Sequence, residues 1–236
     1  MTALLGLATR LGLARLLLIS GTRAHVGDLA GFIDAGFAGG VDMVQLRDPD
    51  ADDDALLAAL KVMREIGYRY QGLVSVYESG TLAEEFQADL LHLSERGEKA
   101  SGARRHLHQW GLIGRSCHSR EQIDAAIADP DVNYLTVGPV YGGMPMGEAG
   151  LTLIRHAATV APSSSAESKP WFAVGGITAS NLDEVLDAGA RRIAVSRAVT
   201  DADDPEAAAM ALKDRLRHVW NEDPAMQNLT LKMFQN

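Results

Sequence analysis

Two glycines and a serine are the first residues in this chain whose placement suggests chemistry. Gly175 and Gly176 end one short apolar run, 171–174, and Ser196 ends another, 192–195. Runs of this length read as strands. Their ends would set backbone N–H groups, with Val195 adding no polar side chain, next to one hydroxyl. Such a cluster suits a phosphate, because amides and a nearby helix start favour an anion. A Gly-Gly pair after a strand also serves as a plain tight turn, and spacing alone does not separate the two. Further polar residues end other apolar runs. Gln45 and Arg47 lie two apart and share a strand face, as do Ser116 and His118, and Thr136 stands two before Gly138. An arginine fork binds phosphate and carboxylate alike, so Arg47 reads as a ligand group or as half of a salt bridge. Imidazole titrates near working pH, which equips His118 for proton transfer. Cys117 faces the other way and reads as a small buried hydrophobe. Glu78 and Glu98 are candidate ligands for magnesium, a cation held by few carboxylates together with substrate phosphates. A lone strand-end acid such as Glu78 reads equally well as a solvated one.

All of these residues need strands to carry them, and the chain supplies eight. Apolar runs at 15–20, 43–46, 73–76, 90–93, 112–116, 134–137, 171–174 and 192–195 alternate with amphipathic segments. Helical spacing covers 28–38, 52–66, 81–86, 120–127, 151–160, 178–188 and 205–220, with a weak helix within 100–109. Strands alternating with helices predict a parallel sheet covered by helices, and eight such pairs predict a single (β/α)8 TIM barrel of the α/β class. In that fold the chemistry sits at the C-terminal ends of the strands, where the polar residues above gather, and the loops after strands seven and eight form a recurrent phosphate site. The barrel is expected over residues 1–221. A tail, 222–236, carries Leu229, Leu231, Met233 and Phe234, apolar enough to pack on the barrel or on another subunit, or else free to move.

Composition narrows the partners. At 236 residues the chain is close to the roughly 250 of a typical barrel. A net charge of −9 without a basic run argues against nucleic acid or an anionic membrane as partner. The single cysteine fits a reducing, cytoplasmic setting. The apolar opening carries Arg10 and Arg15, which break it well short of the roughly 20 uninterrupted residues of a membrane span.

Five segments, VQLRD, LLHLSERGE, LIGRSCHS, VNYLTVGPVY and PWFAVGGI, resemble in order those of the thiamin phosphate synthase/TenI family. That resemblance implies a β/α barrel in which Gly175, Gly176, Val195 and Ser196 hold a thiazole phosphate. It implies that Gln45, Arg47 and Ser116 contact substrate, and that His118 corresponds to the catalytic histidine of the TenI-type thiazole tautomerase. The synthases of the family join a pyrimidine pyrophosphate to a thiazole phosphate, with magnesium helping the pyrophosphate leave. Toward that reaction the chain departs from the pattern. Pro49 replaces an expected lysine, Tyr77-Glu78 an Asn-Asp pair, Gly97 a metal aspartate, and Gly143, Met144, Pro145 and Met146 a Thr-x-Thr-Lys segment. Departing pyrophosphate needs preplaced positive charge, so these losses favour a tautomerase, a proton-transfer isomerase that needs no cofactor. The alternatives are a synthase using Mg2+ and a protein that binds thiazole phosphate or thiamin phosphate without turnover.

Overall fold

The computed structural model describes residues 5–142 and 150–234. Eight parallel strands close on themselves in the order of the chain: β1 Leu16–Ser20, β2 Met43–Leu46, β3 Leu73–Tyr77, β4 Leu90–Leu93, β5 Leu112–Cys117, β6 Tyr134–Val137, β7 Trp171–Val174 and β8 Ile193–Val195, with β8 pairing back onto β1. This is the (β/α)8 barrel expected from the alternation. The surrounding helices are α1 Leu7–Leu13, α2 Leu29–Ala38, α3 Asp53–Tyr70, α4 Gly80–Phe86, α5 Ala100–Ala103, α6 Arg120–Ala128, α7 Leu151–Val160, α8 Leu182–Asp187, α9 Arg197–Thr200, α10 Pro205–Glu222 and α11 Pro224–Met233. None among the described residues is long and apolar enough to cross a membrane.

Side-chain oxygens start several helices. Asp52 accepts from the Ala55 amide at 2.8 Å, Ser79 from Leu82 at 3.1 Å, and Asp204 from Ala207 at 3.0 Å just before Pro205. Each satisfies an amide that the first turn leaves without a partner and so fixes where the strand-exit loop ends. The apolar core has two shells. Strand residues such as Leu16, Leu18, Val44 and Val76 face outward onto the helices. Leu17, Met43, Leu73, Leu90, Leu112 and Phe172 fill the lower barrel interior. Period-two alternation then leaves the upper interior to Gln45, Ser75, His92 and Thr136, all buried.

Several elements differ from the sequence expectation, with α1 and α9 unforeseen. The helix expected within 100–109 shrinks to α5 and a 3-10 turn at Arg104–His106. There the Arg104 guanidinium donates to the carbonyls of Gly111 and Asp131 and to Asn133 Oδ1, drawing the segment toward β5 and β6. The helix expected from 178 begins at Leu182, because Asn181 Oδ1 accepts from the Thr178 amide and its Nδ2 donates to the Gly176 carbonyl, a local pattern that competes with helix. The tail forms α11, which packs Met226, Leu229 and Met233 with Trp220.

Candidate active site

The strand exits surround an open cavity of about 650 Å³, into which Arg47, Gly175, Gly176, Val195 and Ser196 all face. Gly175 and Gly176 have φ of +107° and +63°, a region L side chains rarely adopt. Space excludes a side chain as well: a Cβ at Gly175 would stand 2.7 Å from Pro139, and one at Gly176 2.7 Å from the Tyr141 carbonyl oxygen. The turn is thus required by close passage of the loop after β6, and it also leaves bare backbone on the cavity wall. Ser196, immediately before α9, is exposed there. The tight-turn and ligand-cradle readings describe the same two residues.

Arg47 leaves β2 with its guanidinium carbon 4.7 Å from the centre of the Tyr77 ring. Tyr77 in turn stacks on His92, ring centres 6.1 Å apart. Burial raises the Tyr77 phenol, against the opposing charge of Arg47. Gln45, 2% exposed, has a buried Oε1 without a hydrogen-bond partner. His92, within the LLHLSERGE segment, reads from sequence as more often structural, and it is the hub of the interior polar layer. Its Nδ1 lies 3.2 Å from Tyr134 Oη, and its Nε2 3.0 Å from Ser116 Oγ and 3.3 Å from Thr136 Oγ1. Burial, then the charges of Arg115 and Arg47, pull the imidazole down to about 3, so the ring is neutral at working pH. Ser116, half-buried, is thus oriented by His92. Cys117 is fully buried on the other face, and burial pushes its thiol up to about 12, as its place on the strand implied.

His118 does not line the cavity of Gly175 and Ser196. Its Nδ1 donates to the Gly138 carbonyl and its Nε2 lies 3.2 Å from Glu95 Oε2. Both ring nitrogens face acceptors, so the ring ties the exit of β5 to the exits of β4 and β6.

The acids beside β3 and β4 are likewise engaged. Glu78, at φ +64°, turns its carboxylate onto the Ser94 amide. Glu98 Oε1 accepts from Arg105 at 3.0 Å, and Glu95 holds His118. Among the described residues no three His, Cys, Asp or Glu side chains form a group fit for a metal ion. With Glu78 bonded to the Ser94 amide and Glu98 to Arg105, these two acids as placed do not fit the magnesium that the family resemblance attaches to the synthase reaction. Gly143, Met144, Pro145 and Met146 lie outside the described residues.

Two groups at the mouth were not anticipated. Arg197 lines the same cavity as Gly176 and Ser196 and adds a cation there. Its only sequence signal was its place directly after Ser196. Asp48 accepts from the Thr22 hydroxyl at 2.6 Å and the Thr22 amide at 2.9 Å, bonds that hold its carboxyl below the usual range and clasp the β1 exit to the β2 exit.

Comparison with known proteins places the chain. It is 46% identical over 215 residues to the thiamine-phosphate synthase of Thermobifida fusca, covering 89% of this chain and 95% of the relative. It is 42% identical over 212 residues to that of Streptomyces avermitilis, covering 89% and 96%. Among solved structures, the thiamine phosphate pyrophosphorylase of Pyrococcus furiosus superposes with a TM-score of 0.74 at 25% identity, over 91% of this chain and 99% of that one. The tautomerase expected from the losses at the pyrophosphate side is overturned by these likenesses, since the relatives are thiamine-phosphate synthases. The physical inference that failed was that lost charged groups imply a change of reaction. The family profile described as thiamine monophosphate synthase matches residues 16–199, which form all eight strands, and the chain belongs to that family.

Proposed function

We propose that this chain is a transferase of the thiamine-phosphate synthase type, joining a pyrimidine pyrophosphate to a thiazole phosphate with release of pyrophosphate. The observation that carries the reading is the single cavity uniting Arg47 with Gly175, Gly176 and Ser196, in a chain 46% identical to a synthase along nearly its whole length. In this reading the bare backbone at Gly175, Gly176 and Val195, with the Ser196 hydroxyl and Arg197, takes the thiazole phosphate. Arg47 faces the pyrophosphate across the cavity, held at its angle by Tyr77. A buried acceptor without a partner costs free energy that a ligand donor relieves, so Gln45 Oε1 is assigned to a donor on the pyrimidine. Ser116, oriented by neutral His92, is a second substrate contact. His118 positions the β4 to β6 exits, with no proton transfer assigned to it.

The test is direct incubation of the purified protein with both substrates and measurement of thiamin phosphate and pyrophosphate in equal amounts. Turnover is expected, but below the common enzymatic range of about 1 per second, because Pro49 and Gly97 stand where the family pattern has charged groups. Saturable binding of thiazole phosphate with no product at any magnesium concentration would replace the transferase with the binding-protein alternative.

A further inference from the structure

At the end of the barrel opposite the mouth, the chain buries more positive than negative charge. Arg15 precedes β1, Arg192 precedes β8, and Lys213 lies on α10. The guanidinium carbons of Arg15 and Arg192 stand 4.4 and 5.0 Å from the centre of the Trp220 ring. Arg192 is 2% exposed and Lys213 7%. One carboxylate, Asp42, meets this group. Its Oδ2 binds Lys213 Nζ and accepts from the amides of Arg15 and Leu16 at 2.7 and 2.9 Å, so one carboxylate charge is shared among three cations.

Arg192 is the least satisfied member. Its Nη2 donates to the Gly12 carbonyl at 2.8 Å, while Nε and Nη1 are buried without a partner. Burial and the neighbouring charge of Arg15 lower the guanidinium to about 10, still charged at neutral pH. Asp42 offsets only part of this, and a buried charge that is incompletely balanced and hydrogen-bonded is among the costliest features a fold can carry. Arg192 lines a cavity of about 300 Å³, and so does Ser163, whose hydroxyl is also buried without a partner. Lys232 of α11 lines it too, and Lys169, which is spent on the carbonyls of Ala126 and Asp129.

We propose that this cavity is a binding site for a small doubly charged oxyanion, either inorganic phosphate or the phosphate end of a small metabolite, held by Arg192, Ser163 and Lys232. The volume admits such a group, Arg192 Nε and Nη1 and the Ser163 hydroxyl have no partner of their own, and Arg192 with the exposed Lys232 supplies two positive charges to match the ligand. The site lies on α1, α11 and the strand starts, away from the mouth cavity, and is independent of the transferase reading.

The experiment must silence phosphate at the mouth. Ser196→Glu places a carboxylate in that cradle at an exposed position. Inorganic phosphate titrated into Ser196→Glu by calorimetry should show one saturable site and raise the thermal midpoint. Adding Arg192→Met should lower the affinity by about tenfold to a hundredfold, the range of a charge-assisted hydrogen bond. Ser163→Ala and Lys232→Ala should each give a smaller loss, and they decide the matter if Arg192→Met does not fold. No saturable phosphate heat in Ser196→Glu, or unchanged affinity in the Arg192 variant or in both lesser variants, would overturn the proposal. Pyrophosphate and a sugar phosphate, run as parallel titrants, separate the two sources: a metabolite site binds one of them more tightly than phosphate.

Discussion

Glu78 and Gly97 share one space: a Cβ at position 97 would stand 2.8 Å from Oε1 and 2.9 Å from Oε2 of Glu78. The glutamate is one methylene longer than the aspartate of the family pattern, and its carboxylate fills the volume that Gly97 leaves open while bonding the Ser94 amide. Here the two positions together form a loop clasp.

Gly97→Asp therefore forces the clasp open and sets two carboxylates against each other. Alone it should destabilise the protein by about 1–3 kcal/mol, the usual cost of overpacking, whereas the double change with Glu78→Asp should cost less than the sum of the two single changes. Urea unfolding of the two single variants and the double measures the coupling. Additive losses would mean that the two side chains do not compete.

The barrel was legible because eight apolar runs of strand length alternate with helical segments, and the cavity wall at Gly175, Gly176 and Ser196 because glycine and serine mark strand ends directly. What the sequence concealed was how side chains are spent. His118 read as a free acid–base group, yet both its nitrogens are taken by Gly138 and Glu95. Glu78 and Glu98 read as candidate ligands, yet Ser94 and Arg105 hold them. His92 looked like packing, and its three polar neighbours come from β5 and β6, far away in sequence. Partners across strands follow from barrel closure and register, which residue type alone does not encode. The same holds for α1, too short and too apolar to display amphipathic spacing.

His92 sets a pH dependence. Unfolded, its imidazole takes a proton near 6.5; folded, not until about 3. Between those values the unfolded chain binds more protons, so this contribution to stability is whole above pH 6.5 and is lost as pH falls toward 3. Wild type should lose up to about 1.4 kcal/mol per pH unit more than His92→Gln over that window. Urea melts at pH 7 and pH 5 give the slopes, and parallel slopes would assign the proton uptake to other groups.

Two substitutions test the thiazole phosphate site proposed above. Gly176→Asp meets the Tyr141 carbonyl, demands a disfavoured φ and adds a negative charge, so it should abolish calorimetric binding of thiazole phosphate. Ser196→Ala removes only a neutral hydroxyl and should weaken binding by about threefold to tenfold. Undiminished affinity in Gly176→Asp would leave the two glycines as a turn and nothing more.

Arg47 and Pro49 both line the mouth cavity, and in the proposed reading Arg47 is the described cation that faces the pyrophosphate. Removing one well-placed stabilising group commonly lowers a rate on the order of a hundredfold. Arg47→Ala should therefore reduce kcat by about that factor while leaving the affinity for thiazole phosphate within about twofold, because the glycine turn and Ser196 do not depend on it. Pro49→Lys restores a cation to the same rim and should raise kcat, by about tenfold where its ammonium reaches the departing group. It should fall short of a full complement, since Glu78 remains clasped to Ser94 and Gly97 offers no carboxylate. Steady-state kinetics of both variants, with thiazole phosphate affinity measured separately, provide the check. An Arg47→Ala enzyme that loses thiazole phosphate affinity and kcat together would place Arg47 on the other substrate, and the division of the cavity drawn above would be reversed.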